Sequence, residues 1–319
     1  MLDEVDDFEE TRSPSDPLHA GTVAARASTT ARASLDTAPR LSCRRAPAGS
    51  RPSGRTGAAG ATHRLPSALV KRPSWLRRRR RSSAAGPGRA ELEPQDAWQS
   101  AIDGEISFWR EYLRTQGARY PGSYETRLDP RLPLQPEIAE LIDAPEGSTV
   151  KLLDVGAGPL TFLGRTDPRW QVEITAVDAL GTQYAELLDE AGVVPPVRTQ
   201  PCETERLSEM LPTDAFDLVA ARNTLDHSYD PVQAILEMVH CAKPGAPLLL
   251  VHHRNTAEDE HYRGMHQWNF EATDHSLTVW RPGKRTDVGE TLGRRAQVER
   301  SWMDGAWEHV VIRKARTDI

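Results

Sequence analysis

The chain has 319 residues and a formal net charge of −6, a length that suits one large domain or two small ones. The charge is unevenly distributed: residues 1–90 hold 17 Lys and Arg against 8 Asp and Glu, and the remainder holds 23 against 38. An acidic body has no long-range attraction for polyanions, so we expect no nucleic-acid partner for it.

Membrane and secretion signals are not visible in the sequence. The longest apolar run, residues 246–251, is far shorter than the roughly 20 residues needed to cross a bilayer. The acidic N-terminus lacks the apolar segment of a secretory signal. Cys43, Cys202 and Cys241 show no paired or metal-type spacing, so we expect reduced thiols, no metal and a cytoplasmic protein.

Residues 1–90 are rich in Arg, Ala, Ser, Pro and Gly and have almost no apolar periodicity. Such a segment cannot bury enough surface to offset its ordering entropy, so it is predicted to be a disordered tail. Its five consecutive arginines, residues 77–81, either contact an anionic partner or form a solvated segment.

Helical periodicity begins after residue 90. Apolar residues at three- and four-residue spacing predict an amphipathic helix around residues 95–117, and residues 135–144 predict a second helix that ends at Pro145. Together they predict an N-terminal helical cap over 91–149. The aromatic residues of the first helix either cover a pocket or pack internally: Trp98, Phe108, Trp109 and Tyr112.

From residue 150 onward, strand-like and helical segments alternate. Strands are predicted at 150–155, 172–178, 195–200, 216–223 and 247–253, with helices at 182–192 and 230–243. This order predicts an α/β fold with a doubly wound, mostly parallel sheet over 150–319. Two further strands, 275–281 and 307–314, flank a predicted polar helix at 287–298, and the last strand is expected to be antiparallel.

The first strand ends in a glycine-rich turn, Asp154-Val-Gly156-Ala-Gly158. Ligands bind beyond the carboxyl ends of strands in such sheets, and glycines let a ligand approach the backbone closely. A dinucleotide fingerprint requires a third glycine where this chain has Thr161, so a nicotinamide or flavin site is disfavoured. A tight turn without a ligand is the simpler alternative.

The order of motifs over residues 150–251 resembles the class I S-adenosylmethionine-dependent methyltransferases, especially the small-molecule group called methyltransferase type 11. The glycine turn is similar to the first motif of that family, with Leu160 replacing its last glycine. "FDLVAARNTLDHSYDP" is similar to the fourth motif, and "CAKPGAPLLLV" to the turn before the fifth strand. The resemblance implies a seven-stranded, Rossmann-like sheet and S-adenosyl-L-methionine as the cofactor.

The resemblance also implies which residues bind the cofactor. Asp178, after the second strand, is expected to receive the ribose hydroxyls, because a carboxylate can accept two O–H donors. Glu203 and Thr204 are expected near the adenine, with Glu205 as the alternative carboxylate. The remaining predicted cofactor contacts are Asp154, Gly156, Gly158 and Asn223. We expect the Leu160 side chain to point away from the ligand, into the sheet.

Methyl transfer from a sulfonium requires mainly alignment of the acceptor, and a hydroxyl acceptor also requires a base. His227 and His253 follow the fourth and fifth strands and are the candidate bases, although His227 could instead pack near the cofactor. In residues 261–270, acceptor binding is predicted for His266, Trp268 and Asn269, with a loop held by a buried Trp as the alternative.

The leading hypothesis is an enzyme that methylates a small-molecule or glycan-like acceptor. The alternative is a non-catalytic module that binds S-adenosylmethionine or a partner. Nucleic-acid methylation is disfavoured, because the fourth strand is followed by Asn223-Thr rather than by the Asn/Asp-Pro-Pro sequence of amino-methylating DNA enzymes.

Overall fold

The structure is a computed structural model and describes residues 94–316. The predicted tail over 1–90 therefore lies outside the described residues. The helices are α1 Pro94–Arg114, α2 Ser123–Leu128, α3 Pro136–Ala139, α4 Gly181–Ala191, α5 Pro231–Cys241, α6 Thr256–Asp259 and α7 Val288–Leu292. Two short 3₁₀ helices span Thr204–Glu209 and Leu225–His227.

Ten strands form two sheets in the described part of the chain. They are β1 Thr149–Val155, β2 Gln171–Asp178, β3 Thr199–Pro201, β4 Leu218–Arg222, β5 Pro247–His253, β6 Asn269–Thr273, β7 Ser276–Arg281, β8 Lys284–Asp287, β9 Ala296–Asp304 and β10 Trp307–Lys314. The seven-stranded sheet has the order β3-β2-β1-β4-β5-β10-β9. β1 to β5 pair in parallel, whereas β10 is antiparallel to both β5 and β9. The predicted fold class is confirmed.

The strand order reverses between β1 and β4, which lie side by side at the centre of the sheet. Crossovers to opposite faces separate at this point and leave a crevice beyond the carboxyl ends of the strands. The central strands are buried on both faces. One face packs against Ile138 of α3 and includes Leu152, Leu218 and Leu249. The other face packs against α5 and includes Leu153, Val219 and Leu250.

The region after β5 differs from the sequence prediction. The segment 287–298 was predicted to be one helix, but α7 ends at Leu292 and β9 begins at Ala296. Gly293 follows α7 with a φ of 57°, and β9 then starts by alternating buried and exposed residues as a strand does. β7, which was predicted, pairs with β6 and β8 in a separate antiparallel sheet. A helix was expected over residues 135–144, but α3 spans only Pro136–Ala139.

Helix α1 packs on α4 through a third apolar cluster that contains Tyr112, Leu113, Tyr184 and Leu188. α1 is therefore held beside the carboxyl end of the sheet. None of the helices within 94–316 combines the length and apolar character needed to cross a membrane.

Candidate active site

A cavity of about 880 Å³ lies at the carboxyl ends of the central strands. The strand ends contribute the glycine turn after β1, Asp178 at the end of β2, Arg222 at the end of β4 with Asn223 and Thr224 after it, and His253 at the end of β5. These elements surround the crevice at the switch point, where ligands bind in doubly wound sheets. The topology thus positions the site, and loops and α1 supply most of its side chains.

Aromatic side chains of α1 form one wall of the cavity. Trp98, Phe108, Trp109 and Tyr112 all line it. Trp109 donates from Nε1 to Glu105 Oε1 over 2.8 Å and meets Tyr184 of α4 edge to face, with ring centroids 6.1 Å apart. The sequence left open whether these aromatic residues cover a pocket or pack internally. In the structure they line the cavity, and Trp109 also packs on α4.

The glycine turn has no space for side chains. Gly156 and Gly158 have φ values of 67° and 61°, in the left-handed region that favours glycine. A Cβ on Gly156 would lie 1.9 Å from Thr224 Oγ1, and one on Gly158 would lie 2.7 Å from Trp109 Cζ2. Both glycines line the cavity, where Thr224 and Trp109 lie close to their backbone.

The Asp178 carboxylate is fixed by the backbone at the cavity wall. Its Oδ2 accepts from the N–H of Gly158 over 3.0 Å, and its Oδ1 accepts from the N–H of Leu180 over 2.9 Å. Burial raises the pKa of Asp178 to about 6, although the two backbone hydrogen bonds oppose this shift. Each carboxylate oxygen has a second lone pair, so Asp178 can accept two hydroxyl donors from a ligand.

Asp154 lies beneath the turn and does not line the cavity. Its Oδ2 accepts from Thr161 Oγ1 over 2.5 Å, which ties the two ends of the turn together. Burial raises the pKa of Asp154 to about 6. Thr161, which replaces the third glycine of a dinucleotide site, therefore has a structural partner in this chain.

Leu160 is fully buried and does not line the cavity. Its side chain lies in the cluster with Tyr112 of α1 and Tyr184 of α4, so it points away from the cavity but packs under helices rather than into the sheet. The Leu160 carbonyl accepts from Nη1 of the half-buried Arg127 over 2.5 Å. The residue that departs from the family motif thus anchors the turn to the cap helices.

At the other end of the cavity, Thr204 and Glu205 form part of the wall, whereas Glu203 does not. Glu203 accepts a hydrogen bond from the Tyr229 hydroxyl over 2.8 Å. Glu205 Oε1 accepts from the Ser228 hydroxyl and from two backbone N–H groups, those of Tyr229 at 2.9 Å and Asp230 at 3.1 Å. Of the two alternative carboxylates, Glu205 is the one at the cavity.

Three polar side chains converge beside the cavity. His227 lines it, and its Nε2 lies 3.1 Å from His266 Nδ1, which in turn lies 2.7 Å from Asp226 Oδ2. Burial alone would raise the pKa of Asp226, but the neighbouring His227 and the hydrogen bond from His266 hold it well below its usual range. Burial would lower the pKa of His266, but Asp226 outweighs that effect and raises it.

The last two residues of β5 face opposite sides, as strand alternation requires. His253 lines the cavity and contacts Trp307 edge to face. His252 is buried against the Phe270 ring, with centroids 4.2 Å apart. Asn223, after β4, also lines the cavity, and its backbone N–H donates to Val251 over 2.7 Å.

Two of the predicted acceptor residues lie away from the cavity. Trp268 is buried in the main core cluster, and Asn269 bonds Glu258 N–H and the Tyr262 hydroxyl. His266 does not line the cavity itself but contacts His227, which does. Only His266 of this set is therefore placed next to the cavity.

Sequence reasoning overlooked several residues at the site. Asp226 immediately precedes His227, and a carboxylate beside a candidate base is a recognisable signal. Glu105 lies one helical turn before Trp109 and so shares its face. Arg222 ends β4, and its guanidinium lies between the rings of Phe162 and Trp307, 5.6 and 5.1 Å from their centroids.

A seven-stranded sheet with an antiparallel β10, a glycine turn after the first strand and a fixed carboxylate at the end of the second is typical of class I S-adenosylmethionine-dependent methyltransferases. Residues 153–250 match the family described as "Methyltransferase domain". No curated protein matches the chain.

Solved structures with a similar fold are distant. A SAM-dependent methyltransferase from Aquifex aeolicus is 17% identical, with 64% of this chain and 98% of that chain covered and a TM-score of 0.38. An O-methyltransferase family protein from Burkholderia thailandensis is 11% identical, with 71% and 64% covered and a TM-score of 0.42. The 1,6-didemethyltoxoflavin-N1-methyltransferase of the same organism, with bound S-adenosylhomocysteine, is 16% identical, with 73% and 93% covered and a TM-score of 0.37.

The cofactor of this class is S-adenosyl-L-methionine, and the cavity residues fit it. Gly156 and Gly158 line the cavity with backbone alone, and Asp178 offers two acceptor oxygens suited to a ribose diol. When bound, the cofactor supplies a methyl group already activated by its sulfonium. The protein's part is to hold cofactor and acceptor in line and to exclude water.

Proposed function

We propose that this methyltransferase acts on a hydroxyl group of a small-molecule acceptor that carries a ring, such as a sugar or an aromatic compound. The observation that carries this proposal is the composition of the cavity on the β4–β5 side. There, the cavity is lined by Phe162, Trp307 and Arg222 together with His227 and His253. Aromatic faces stack on rings, and a few polar groups orient a bound molecule, as is usual for small-molecule sites.

Within this proposal, the β1–β3 side of the cavity holds the cofactor. The backbone of the turn at Gly156 and Gly158 faces its amino-acid part, and Asp178 accepts its ribose hydroxyls. Thr204 and Glu205 lie on the adenine side. Residues 91–149 serve as a cap on a methyltransferase domain over 150–319, because the α1 aromatic residues form the outer wall of the cavity.

His227 and His253 are the candidates for removing the proton of the acceptor hydroxyl. Both line the cavity, and they come from the ends of neighbouring parallel strands. His227 is additionally oriented by its contact with His266, which is paired with Asp226. A neutral imidazole can accept a proton from a hydroxyl group.

The proposal is tested with the purified full chain in two steps. Calorimetry first measures S-adenosylhomocysteine binding, which we expect in wild type and expect to be lost in Asp178→Ala. Release of S-adenosylhomocysteine is then followed across a panel of hydroxylated sugars and phenols. Absence of cofactor binding refutes the proposal. Binding without turnover on any acceptor favours the non-catalytic module instead.

A further inference from the structure

We propose that Asp226, His227 and His266 bind one divalent transition-metal ion, with Zn²⁺ as the reference ion. The site lies at the edge of the cavity, and its use in holding the acceptor oxygen rests on the proposed function, whereas ion binding itself does not. No sequence spacing suggested this site, because His266 is 40 residues from Asp226.

The distances between the three donor atoms match those of a metal site. Nε2 of His227 lies 3.1 Å from Nδ1 of His266 and 3.6 Å from Oδ2 of Asp226, and the remaining side of the triangle is 2.7 Å. Nitrogen and oxygen ligands bind Zn²⁺ at about 2.0–2.2 Å, so ligands at tetrahedral or right angles lie about 2.8–3.6 Å apart. One ion can therefore reach all three atoms with little movement.

Hydrogen bonding alone satisfies this cluster poorly. If His266 Nδ1 carries the proton that it donates to Asp226, the same nitrogen cannot accept from His227 Nε2. If His227 Nε2 is protonated, its N–H then faces the N–H of His266. If it is not protonated, its lone pair faces a proton that His266 already donates to Asp226. A metal ion resolves this competition, because each of the three atoms then offers it one lone pair.

The Asp226 carboxylate provides a second, independent observation. The residue is only 3% exposed, and its Oδ1 has no hydrogen-bond partner within 94–316. A buried carboxylate oxygen without a partner is costly, and an ion held by both oxygens of Asp226 would satisfy Oδ1 as well as Oδ2. Two imidazoles with one carboxylate form a ligand set that suits divalent transition metals.

The surroundings also suit a catalytic rather than a closed site. Glu105 Oε2 lies 4.0 Å from Nδ1 of His227, the ring nitrogen that would not bind the ion, and metal-bound histidines usually direct that nitrogen to a carboxylate. His227 lines the cavity, so the three protein ligands leave positions for an acceptor oxygen. With Nε2 of His227 on the ion, His253 remains as the candidate base.

The test uses the untagged full chain after treatment with a chelator and dialysis. Calorimetry with Zn²⁺ is expected to show one equivalent bound with a dissociation constant at or below the micromolar range. Co²⁺ is expected to give visible absorption bands of a low-coordinate nitrogen- and oxygen-bound ion. Asp226→Asn and His266→Gln should each weaken binding at least 100-fold, whereas His240→Gln, a change on α5 at a histidine that does not line the cavity, should leave it unchanged.

Circular dichroism establishes that each variant folds, and S-adenosylhomocysteine titration of the same samples separates the two proposals. Wild type that binds S-adenosylhomocysteine but no Zn²⁺ overturns the metal site and leaves the proposed function intact. Zn²⁺ binding that persists in both Asp226→Asn and His266→Gln also overturns it, because the ion then lies elsewhere. Zn²⁺ binding without any S-adenosylhomocysteine binding supports the site and refutes the proposed function.

Discussion

Protonation of Asp178 should control cofactor affinity. Burial raises its pKa to about 6, and only the ionised carboxylate can accept both ribose hydroxyls while keeping its backbone bonds. With that pKa, about one molecule in eleven is ionised at pH 5, so the affinity for S-adenosylhomocysteine should fall about tenfold between pH 7.5 and pH 5. Calorimetric titrations at several pH values measure this directly.

Asp178→Asn should remove both the affinity and its pH dependence. Hydrogen bonds to charged groups contribute about 1.5–3 kcal/mol, so binding at pH 7.5 should weaken roughly 10- to 150-fold and then stay flat with pH. Asp154→Asn is the matched control, because burial also raises the pKa of Asp154 to about 6 but this residue does not line the cavity. A pH dependence that survives in Asp178→Asn and vanishes in Asp154→Asn would refute the assignment.

Asp178→Asn should change the free energy of unfolding only slightly. The folded state raises the pKa of Asp178 from its ordinary 3.8 to about 6, so it favours the protonated form. Protonated Asp178 therefore contributes fully to the free energy of unfolding below pH 3.8, and this contribution is lost as the pH rises through 6. Above that pH, the ionised carboxylate lowers the free energy of unfolding by about 3 kcal/mol. Asp178→Asn relieves this cost but leaves one backbone N–H poorly paired, at about 1–3 kcal/mol. Urea denaturation should therefore detect little net change.

Three further outcomes are expected. Gly158→Ala should weaken S-adenosylhomocysteine binding at least tenfold, because its Cβ meets Trp109; Gly192→Ala, with a similar φ and open space, should not. Glu205→Gln should lower the free energy of unfolding by about 2–3 kcal/mol, because its Oε1 holds three donors; an unchanged melting temperature would contradict this. Deletion of residues 1–90 should leave cofactor affinity unchanged in the same titration, and a large loss would show that the tail contributes to the site.

Local sequence patterns were sufficient to predict the central sheet and one side of the site. β5 was predicted at 247–253, where the structure has it, because a strand buried on both faces is a continuous apolar run between turn residues. The glycine turn and Asp178 could be located because both follow strands directly. The spacing of apolar residues and the residue preferences of turns depend on neighbours within a few residues, so both can be recognised in the sequence.

Tertiary structure decided the other side of the site and the chain after β5. His266 meets His227 across 39 residues of chain, while Trp268, two residues later, enters the core instead. The segment 287–298 is a short helix and a strand because β9 pairs with β10, which is itself paired with the distant β5 of the central sheet. Long-range pairing and burial select between local alternatives of similar energy, and for this reason the Asp226–His227–His266 cluster exists only in the folded protein.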